Sequence, residues 1–214
     1  MPVLRGNRQQ PRSQNAMVGT ITFDKNPETM NRKKQLFAFC LSVLASITVI
    51  FAASPAEAQI NCSGISRWSG TSPQINQPHI FCGEWDSRRN RAKGFHSRPS
   101  GASPNTVASF QITQTANRQG VYGGNWSYAG RGGRTKFSTM FPDRCTRQQV
   151  INSISYAASS RTSCPSSAPS WAWCGSSAPS ANAAEYCNGN DGSILSVAGA
   201  FLNDGRINTA FPLR

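Results

Sequence analysis

Alternating apolar and polar positions, interrupted by glycine-containing turns, recur along the chain after residue 78. The run His79–Trp85 is followed by a polar turn at Asp86–Asn90 and a second run at Arg91–Ser97, a pattern typical of a β-hairpin. In such a strand, His79, Phe81, Gly83 and Trp85 would share one face by period-two alternation. Further strands are predicted over Val107–Thr115, Val121–Tyr128, Lys136–Phe141, Ile194–Phe201 and Ile207–Leu213, with an Asn203-Asp204-Gly205 turn before the last.

One helix is predicted, and it begins after Thr146. Thr146 and Gln149 have the spacing of a capping box, and Val150, Ile154 and Ala157 follow at helical intervals. Because strands dominate and a single helix is well indicated, the pattern favours the α+β class. The sequence has no internal repeat.

The first 58 residues carry a different pattern. Asn31–Lys34 is basic, Leu36–Ala53 is apolar and Ala56–Ala58 has the small-x-small form of a cleavage site. This order predicts a secretory signal peptide over residues 30–58, cleaved after Ala58. A transmembrane anchor is the alternative, because the apolar run is about long enough to cross a bilayer. Residues 1–29 are interpreted as a leader or a mis-assigned start.

Cysteine use agrees with export to the periplasm or the medium. Cys40 lies in the signal segment, and six cysteines follow it: Cys62, Cys82, Cys145, Cys164, Cys174 and Cys187. An even number in a small exported domain favours disulfide bonds, although the sequence leaves their pairing open. A zinc site is the weaker alternative, because no Cys-x-x-Cys or His-x-x-x-His spacing is present.

Composition divides the remaining chain into an arm and a domain. Residues 59–78 are polar and rich in Ser, Gly and Asn, so they are interpreted as an N-terminal arm held by Cys62. Residues 79–214 form the main domain. Within it, residues 159–190 are rich in Ser, Pro and Cys and are interpreted as an insertion ordered by a disulfide, because such a composition otherwise favours disorder.

Charge indicates the kind of partner. The chain has 22 Lys and Arg residues against 9 Asp and Glu, a formal net charge of +13, and the excess persists after residue 58. A compact domain this basic suits a polyanion such as nucleic acid, an acidic glycan or an anionic surface. Charge does not distinguish among these partners.

The chain contains only two histidines, and these are the candidate catalytic residues. Two imidazoles can supply one neutral and one protonated member near neutral pH, as RNA cleavage through a 2′-hydroxyl requires. Lys136 is a candidate for stabilising the charge that builds up on the phosphate. The alternative is that His79 and His96 fill structural positions, and spacing alone does not decide between the two. Neither paired carboxylates nor a Gly-x-Ser-x-Gly motif supports another hydrolase.

Four short motifs extend this interpretation. The strings are His79-Ile-Phe-Cys-Gly-Glu-Trp85, Gly94-Phe-His96, Lys136-Phe-Ser-Thr-Met-Phe-Pro142 and Ile207-Asn-Thr-Ala-Phe-Pro212. In this order they resemble the EndoU family of uridylate-directed endoribonucleases, from His79 to the C-terminus. The resemblance implies an α+β fold in which antiparallel sheets line a groove and helices lie outside.

The resemblance also implies roles for individual residues. His96 would be the general base, His79 the general acid and Lys136 the electrostatic stabiliser. Thr209 would hydrogen-bond uracil and Phe211 would stack on the nucleotide, leaving 2′,3′-cyclic phosphate and 5′-hydroxyl ends. Many relatives have Tyr where this chain has Phe211, so base preference is expected to be relaxed. No cofactor would be required, and stimulation by Mn²⁺ is a property of some relatives.

Other side chains near these motifs have weaker assignments. Ser138 and Thr139 follow Lys136, and one of their hydroxyls is expected to face the substrate, with a cross-strand structural role as the alternative. Glu84 alternates with His79 along the predicted strand, so its side chain is expected to point away from His79, and it is interpreted as structural. A basic turn is formed by Arg88, Arg89, Arg91 and Lys93, which suits either solvent or RNA phosphates.

The expected partner is single-stranded RNA containing uridine. An exported nuclease suits either a toxin, with an immunity protein as a further partner, or a scavenging enzyme, and no stable membrane association is expected after cleavage of the signal peptide. The alternative function is a non-catalytic, disulfide-rich module that binds RNA or an acidic polysaccharide. Such a binder would have no need of Lys136 together with both histidines.

Overall fold

The computed structural model describes residues 59–132 and 134–214. The part described contains a hairpin, a three-stranded sheet, a four-stranded sheet and an α-helix, α1 (Arg147–Ser159). In chain order the strands are β1 (Glu84–Asp86), β2 (Arg91–Lys93), β3 (Val107–Gln114), β4 (Tyr122–Tyr128), β5 (Lys136–Met140), β6 (Arg161–Thr162), β7 (Trp173–Ser176), β8 (Ser196–Phe201) and β9 (Ile207–Pro212). Neighbouring strands are antiparallel throughout these sheets, which confirms the α+β class. The predicted signal peptide and leader lie outside the described residues.

The hairpin β1–β2 and the sheet β3–β4–β5 enclose an aromatic core. Trp126 on β4 and Phe95, just after β2, are both fully buried, with ring centroids 5.3 Å apart. Phe110 on β3 packs edge-on against Phe95 at 5.7 Å. Burying rings of this size removes a large apolar area from water, so the segment after β2 is held firmly against β4. Because Phe95 directly precedes His96, this packing also sets where His96 lies.

The helix α1 covers the sheet β6–β7–β8–β9. Thr146 Oγ1 accepts a hydrogen bond from Gln149 N at 3.1 Å, and Gln149 Oε1 accepts one from Thr146 N at 2.9 Å, which confirms the capping box. Ile154 and Ala157 are fully buried on the face that packs against β7 and β8. Gly175 on β7 allows this close approach, because a side chain there would collide with the Ala157 carbonyl.

The segment predicted as the first strand of the hairpin is mostly helical. Pro78–Cys82 forms a π-helical turn, and only Glu84–Asp86 pairs with Arg91–Lys93. The prediction of a single strand over His79–Trp85 was therefore wrong. All residues of the turn except Pro78 are buried. When every position of a short run is buried, its hydrophobic pattern does not distinguish a strand from a helix. Gly83 ends the turn at φ 70°, a conformation that glycine adopts without strain.

Three disulfides join the six cysteines of the described residues. The pairs are Cys62–Cys82, Cys145–Cys187 and Cys164–Cys174. The expectation of disulfides is confirmed, and the first pair links the N-terminal arm to the π-helical turn. Three such bonds are consistent with an extracellular or periplasmic location. In the described part of the chain, no helix has the length and apolar character needed to cross a bilayer.

The arm and the Ser/Pro/Cys-rich segment both pack into the domain. In the arm, Ile75 bridges Ile207 on β9, and Asn76 N donates to Ile207 O at 2.9 Å. Residues 159–190 supply β6 and β7 to the four-stranded sheet. The loop between these strands is closed by the Cys164–Cys174 disulfide, and its Trp171 ring lies beside β9, 6.0 Å from the ring of Phe211.

Candidate active site

Backbone hydrogen bonds hold the two histidines beside each other. Phe95 N donates to His79 O at 2.7 Å, and His96 N donates to Ile80 O at 2.7 Å. The segment after β2 therefore lies directly against the π-helical turn. Gly94 makes this approach possible, because it has φ +78° and any side chain there would collide with the His79 carbonyl. The two imidazole centroids are 6.3 Å apart.

His96 has the hydrogen bonds and the pKa of a proton acceptor. Its Nδ1 lies 3.0 Å from Thr139 O, and a carbonyl oxygen only accepts, so the neutral ring carries its proton on Nδ1 and leaves Nε2 as an acceptor. Burial lowers the pKa of His96 well below its usual 6.5, and the charges of Lys136 and His79 lower it further, which outweighs the hydrogen bond to Thr139. His96 is therefore neutral at pH 7.

His79 has a different partner, the carboxylate of Glu84. Nδ1 of His79 lies 2.7 Å from Oε2 of Glu84, so this nitrogen donates to the carboxylate and Nε2 is the nitrogen left for chemistry. The expectation that Glu84 points away from His79 was wrong. Glu84 is the first residue of β1, and the π-helical turn before it, ended by Gly83 at φ 70°, brings its side chain back to His79. In one continuous strand, residues five positions apart would lie on opposite faces.

The Glu84 carboxylate is ionised in this position. Burial opposes its ionisation, but the hydrogen bond from His79 and the charges of His79 and Lys93 together lower the pKa of Glu84 below its usual 4.5. A carboxylate bonded to Nδ1 orients an imidazole and balances positive charge on the ring when the ring is protonated. The two histidines thus differ in kind, one bonded to a neutral carbonyl and the other to an anion.

A serine on β5 holds the candidate lysine. Lys136 Nζ donates to Ser138 Oγ at 2.8 Å and to Phe137 O at 2.9 Å. Ser138 Oγ also accepts from Trp126 Nε1 at 3.1 Å and donates to Gly94 O at 2.9 Å. The Ser138 hydroxyl is thus bonded to three protein groups, and it ties the ammonium of Lys136 to the segment that carries His96.

The environment of Lys136 also changes its acidity. Burial lowers the pKa of Lys136 to about 8, and the positive charge of Arg91 contributes to the shift. The ammonium form still predominates at pH 7, so the site holds a cation there. Above pH 8 the amine would lose its proton and its charge.

A pocket of about 320 Å³ brings the predicted residues together. It is lined by all six of the site residues expected from the sequence: His79, His96, Lys136, Ser138, Thr209 and Phe211. Thr209 and Phe211 lie two residues apart on β9 and so share a face. The Phe211 ring centroid is 5.3 Å from that of His96. The Thr209 side chain lines the pocket, where its hydroxyl can meet a ligand.

Trp171 also lines this pocket, and sequence reasoning did not single it out from the other tryptophans. It stands in the loop between Cys164 and Cys174, where a large aromatic residue interrupts a Ser- and Pro-rich stretch. Glu84 was similarly missed as a partner of His79. The sequence did hold an indication of this contact, because Glu84 lies in the same motif as His79, the string His79–Trp85.

The basic turn of the hairpin β1–β2 lies next to the pocket, because Lys93 of β2 lines it. Arg88, Arg89 and Arg91 are exposed, and Lys93 lines the pocket itself. Arg89 forms an ion pair with Asp86 at 3.4 Å. Within residues 59–132 and 134–214, no group of three His, Cys, Asp or Glu side chains is placed to hold a metal ion.

One imidazole is bonded to a carbonyl and the other to a carboxylate, and the ammonium group of Lys136 lies in the same pocket. This arrangement defines an acid–base site suited to an anionic substrate. The chain matches the family model of the bacterial EndoU nuclease over residues 73–214. It therefore belongs to this family, and membership implies an endoribonuclease with RNA as its substrate. Comparison with curated proteins and with solved structures gives no significant match.

Proposed function

We propose that the protein cleaves single-stranded RNA after uridine by transphosphorylation, leaving 2′,3′-cyclic phosphate and 5′-hydroxyl ends. The 2′-oxygen forms a bond to phosphorus while the bond from phosphorus to the 5′-oxygen breaks. The 2′-hydroxyl proton passes to Nε2 of His96, and a proton on Nε2 of His79 passes to the leaving 5′-oxygen. The observation that carries this proposal is the contrast between the two histidines, one bonded to Thr139 O and the other to Glu84.

The assignment of base and acid follows from those partners. A general base must be neutral before the reaction, and burial keeps the pKa of His96 low enough for that at pH 7. A general acid must be protonated, and the carboxylate of Glu84 balances the charge of a protonated His79. The two imidazoles line the same pocket with their centroids 6.3 Å apart, so one phosphodiester bound there is within reach of both rings.

Lys136 is proposed to stabilise the phosphate as negative charge builds up on its non-bridging oxygens. For Ser138 we propose a positioning role in place of the substrate contact expected from the sequence, because its hydroxyl already bonds three protein groups. Thr209 and Phe211 are proposed to bind uracil, the hydroxyl at the base edge and the ring on its face. Phe211 has no phenolic hydroxyl, so the preference for uridine rests on Thr209.

The basic residues beside the pocket support a binding mode in which the RNA strand extends past the pocket. The exposed side chains of Arg88, Arg89 and Arg91 lie on the turn beside Lys93, where they can contact phosphates without reading sequence. The proposed proton transfers need no metal ion as a reactant, and stimulation by Mn²⁺ would then act on RNA binding. The disulfides and the signal peptide predicted over residues 30–58 support export. An exported nuclease suits a toxin, with an immunity protein as partner, or a scavenging enzyme.

The test uses two oligonucleotides that differ in one oxygen. The purified protein is incubated in EDTA with an RNA that contains a single uridine, and with the same strand carrying 2′-deoxyuridine at that position. We expect cleavage of the first, with a cyclic phosphate on the 5′ fragment, and none of the second, because the attacking group is missing. Equal cleavage of both strands would rule out attack by the 2′-hydroxyl.

A second prediction concerns Glu84. In Glu84→Gln the side chain keeps its shape but loses its charge, and its amide can present a donor to Nδ1 and so favour the wrong tautomer of His79. We expect kcat to fall by about 10²-fold. Glu185→Gln is the matched control, since Glu185 is exposed and does not line the pocket. An unchanged kcat in Glu84→Gln would show that His79 does not depend on this carboxylate.

A further inference from the structure

Trp171 is a large apolar side chain that the fold leaves in solvent at the edge of the active-site pocket. It is 60% exposed, more than any other large apolar side chain among the described residues. The loop that carries it is short, since the disulfide joins Cys164 to Cys174 with a sequence separation of 10. Ala172 N donates to Pro169 O at 3.0 Å within the loop. The ring is therefore presented on a closed turn that costs little further ordering on binding.

Trp171 continues a row of rings that starts at the histidines. The centroid of His79 is 6.3 Å from that of His96, His96 is 5.3 Å from Phe211, and Phe211 is 6.0 Å from Trp171. The Trp171 ring meets Phe211 at an interplanar angle of 63°. Because Trp171 is 60% exposed despite this contact, most of its ring surface stays open to a ligand.

We propose that Trp171 binds the nucleobase immediately 5′ to the cleaved uridine. The inference rests on the proposed function, and it adds a second base-binding position to the site. Such a position would favour substrates in which the uridine has a 5′ neighbour over those that begin with uridine. A stacked base of any identity suits the indole ring, so the position adds affinity without reading sequence.

The direction along the RNA follows from the order of the rings. The leaving nucleotide is attached through the 5′-oxygen that His79 protonates, so it lies at the His79 end of the row. In the proposed complex, uracil stacks on Phe211 with Thr209 at its edge, and the 2′-hydroxyl of the uridine faces His96. Trp171 stands at the opposite end from His79, and the nucleotide that reaches that end is the one on the 5′ side.

The experiment compares two substrates with the full-length protein and its Trp171→Ala variant. One is the dinucleotide UpA, and the other is the trinucleotide ApUpA, which adds a 5′ adenosine. We expect the wild-type protein to have a lower KM for the trinucleotide. In Trp171→Ala the loss in kcat/KM should be roughly tenfold larger on ApUpA than on UpA and should fall on KM, because stacking stabilises ground state and transition state alike.

Two further variants complete the test. Trp171→Phe keeps an aromatic face and should restore most of the preference for ApUpA. Ile112→Ala removes another exposed apolar side chain, which lies on β3 and does not line the pocket, and should leave both rates unchanged. Equal losses on both substrates in Trp171→Ala, or no loss, would overturn the inference. Failure of the wild-type protein to cleave either substrate would instead overturn the proposed function.

Discussion

His96→Ala and His79→Ala are each expected to lower kcat/KM on a uridine-containing RNA by about 10³-fold or more, while the far-ultraviolet circular dichroism spectrum stays that of the wild type. Loss of a general base or a general acid has this magnitude. Both rings lie at the wall of the pocket, so their truncation leaves the aromatic core around Trp126 and Phe95 intact. Near-normal activity in either variant would contradict the acid–base pair.

A substrate with an activated leaving group separates the two roles. In uridine 3′-(4-nitrophenyl phosphate) the leaving phenolate needs no proton, so His79→Ala should recover most of its activity, while His96→Ala should stay inactive because the 2′-hydroxyl must still be deprotonated. Equal defects on this substrate would mean that the roles are shared, and recovery of His96→Ala alone would mean that they are exchanged. The same substrate offers a check on Glu84→Gln, whose defect should disappear with that of His79→Ala.

The acidity of the base can be read directly by NMR. The chain has two histidines, so the imidazole signal that remains in His79→Ala belongs to His96. Its titration midpoint is expected well below 6.5 even without His79, because burial and the charge of Lys136 disfavour the protonated ring. Activity should correspondingly fall on the acid side only as the pH drops through that midpoint.

Lys136→Met is expected to lower kcat by about 10²–10³-fold, the usual cost of removing a group that stabilises developing negative charge. Methionine has nearly the length of lysine and carries no charge, so the packing of this side chain at the start of β5 changes little. Lys136→Arg keeps a cation and should retain more activity than Lys136→Met. Equal losses in the two variants would indicate that the shape of Lys136, and not its charge, is what matters.

The pH dependence of Lys136 gives an independent measurement. With the nitrophenyl substrate, which does not need His79 as an acid, activity should fall as the pH rises through about 8, where Lys136 loses its charge. In Lys136→Arg the guanidinium stays protonated, so this alkaline decline should move to higher pH. A decline that stays near pH 8 in Lys136→Arg would assign it to another group.

The sequence predicted those parts of the fold in which the local pattern and the tertiary environment agree. The capping box at Thr146, the Asp204-Gly205 turn and the alternation along β9 each depend on residues a few positions apart. The turn at Pro78–Cys82 was mispredicted, because its burial on every side comes from distant segments. The error also hid Glu84, which the turn brings back to His79 and which would lie on the opposite face from His79 in one continuous strand.

Residue types and their order by themselves determined which groups are proposed to act in this protein: two histidines, one lysine and the Thr-x-Phe-Pro ending of the last strand. The tertiary structure alone decided how those groups differ. His79 and His96 are the same side chain, and only the carbonyl of Thr139 and the carboxylate of Glu84 make one suited to accept a proton and the other to give one. The burial that lowers the pKa of His96 and the loop that places Trp171 beside Phe211 likewise come from segments far apart in the chain. Electrostatics and packing act through space, so no local pattern records them.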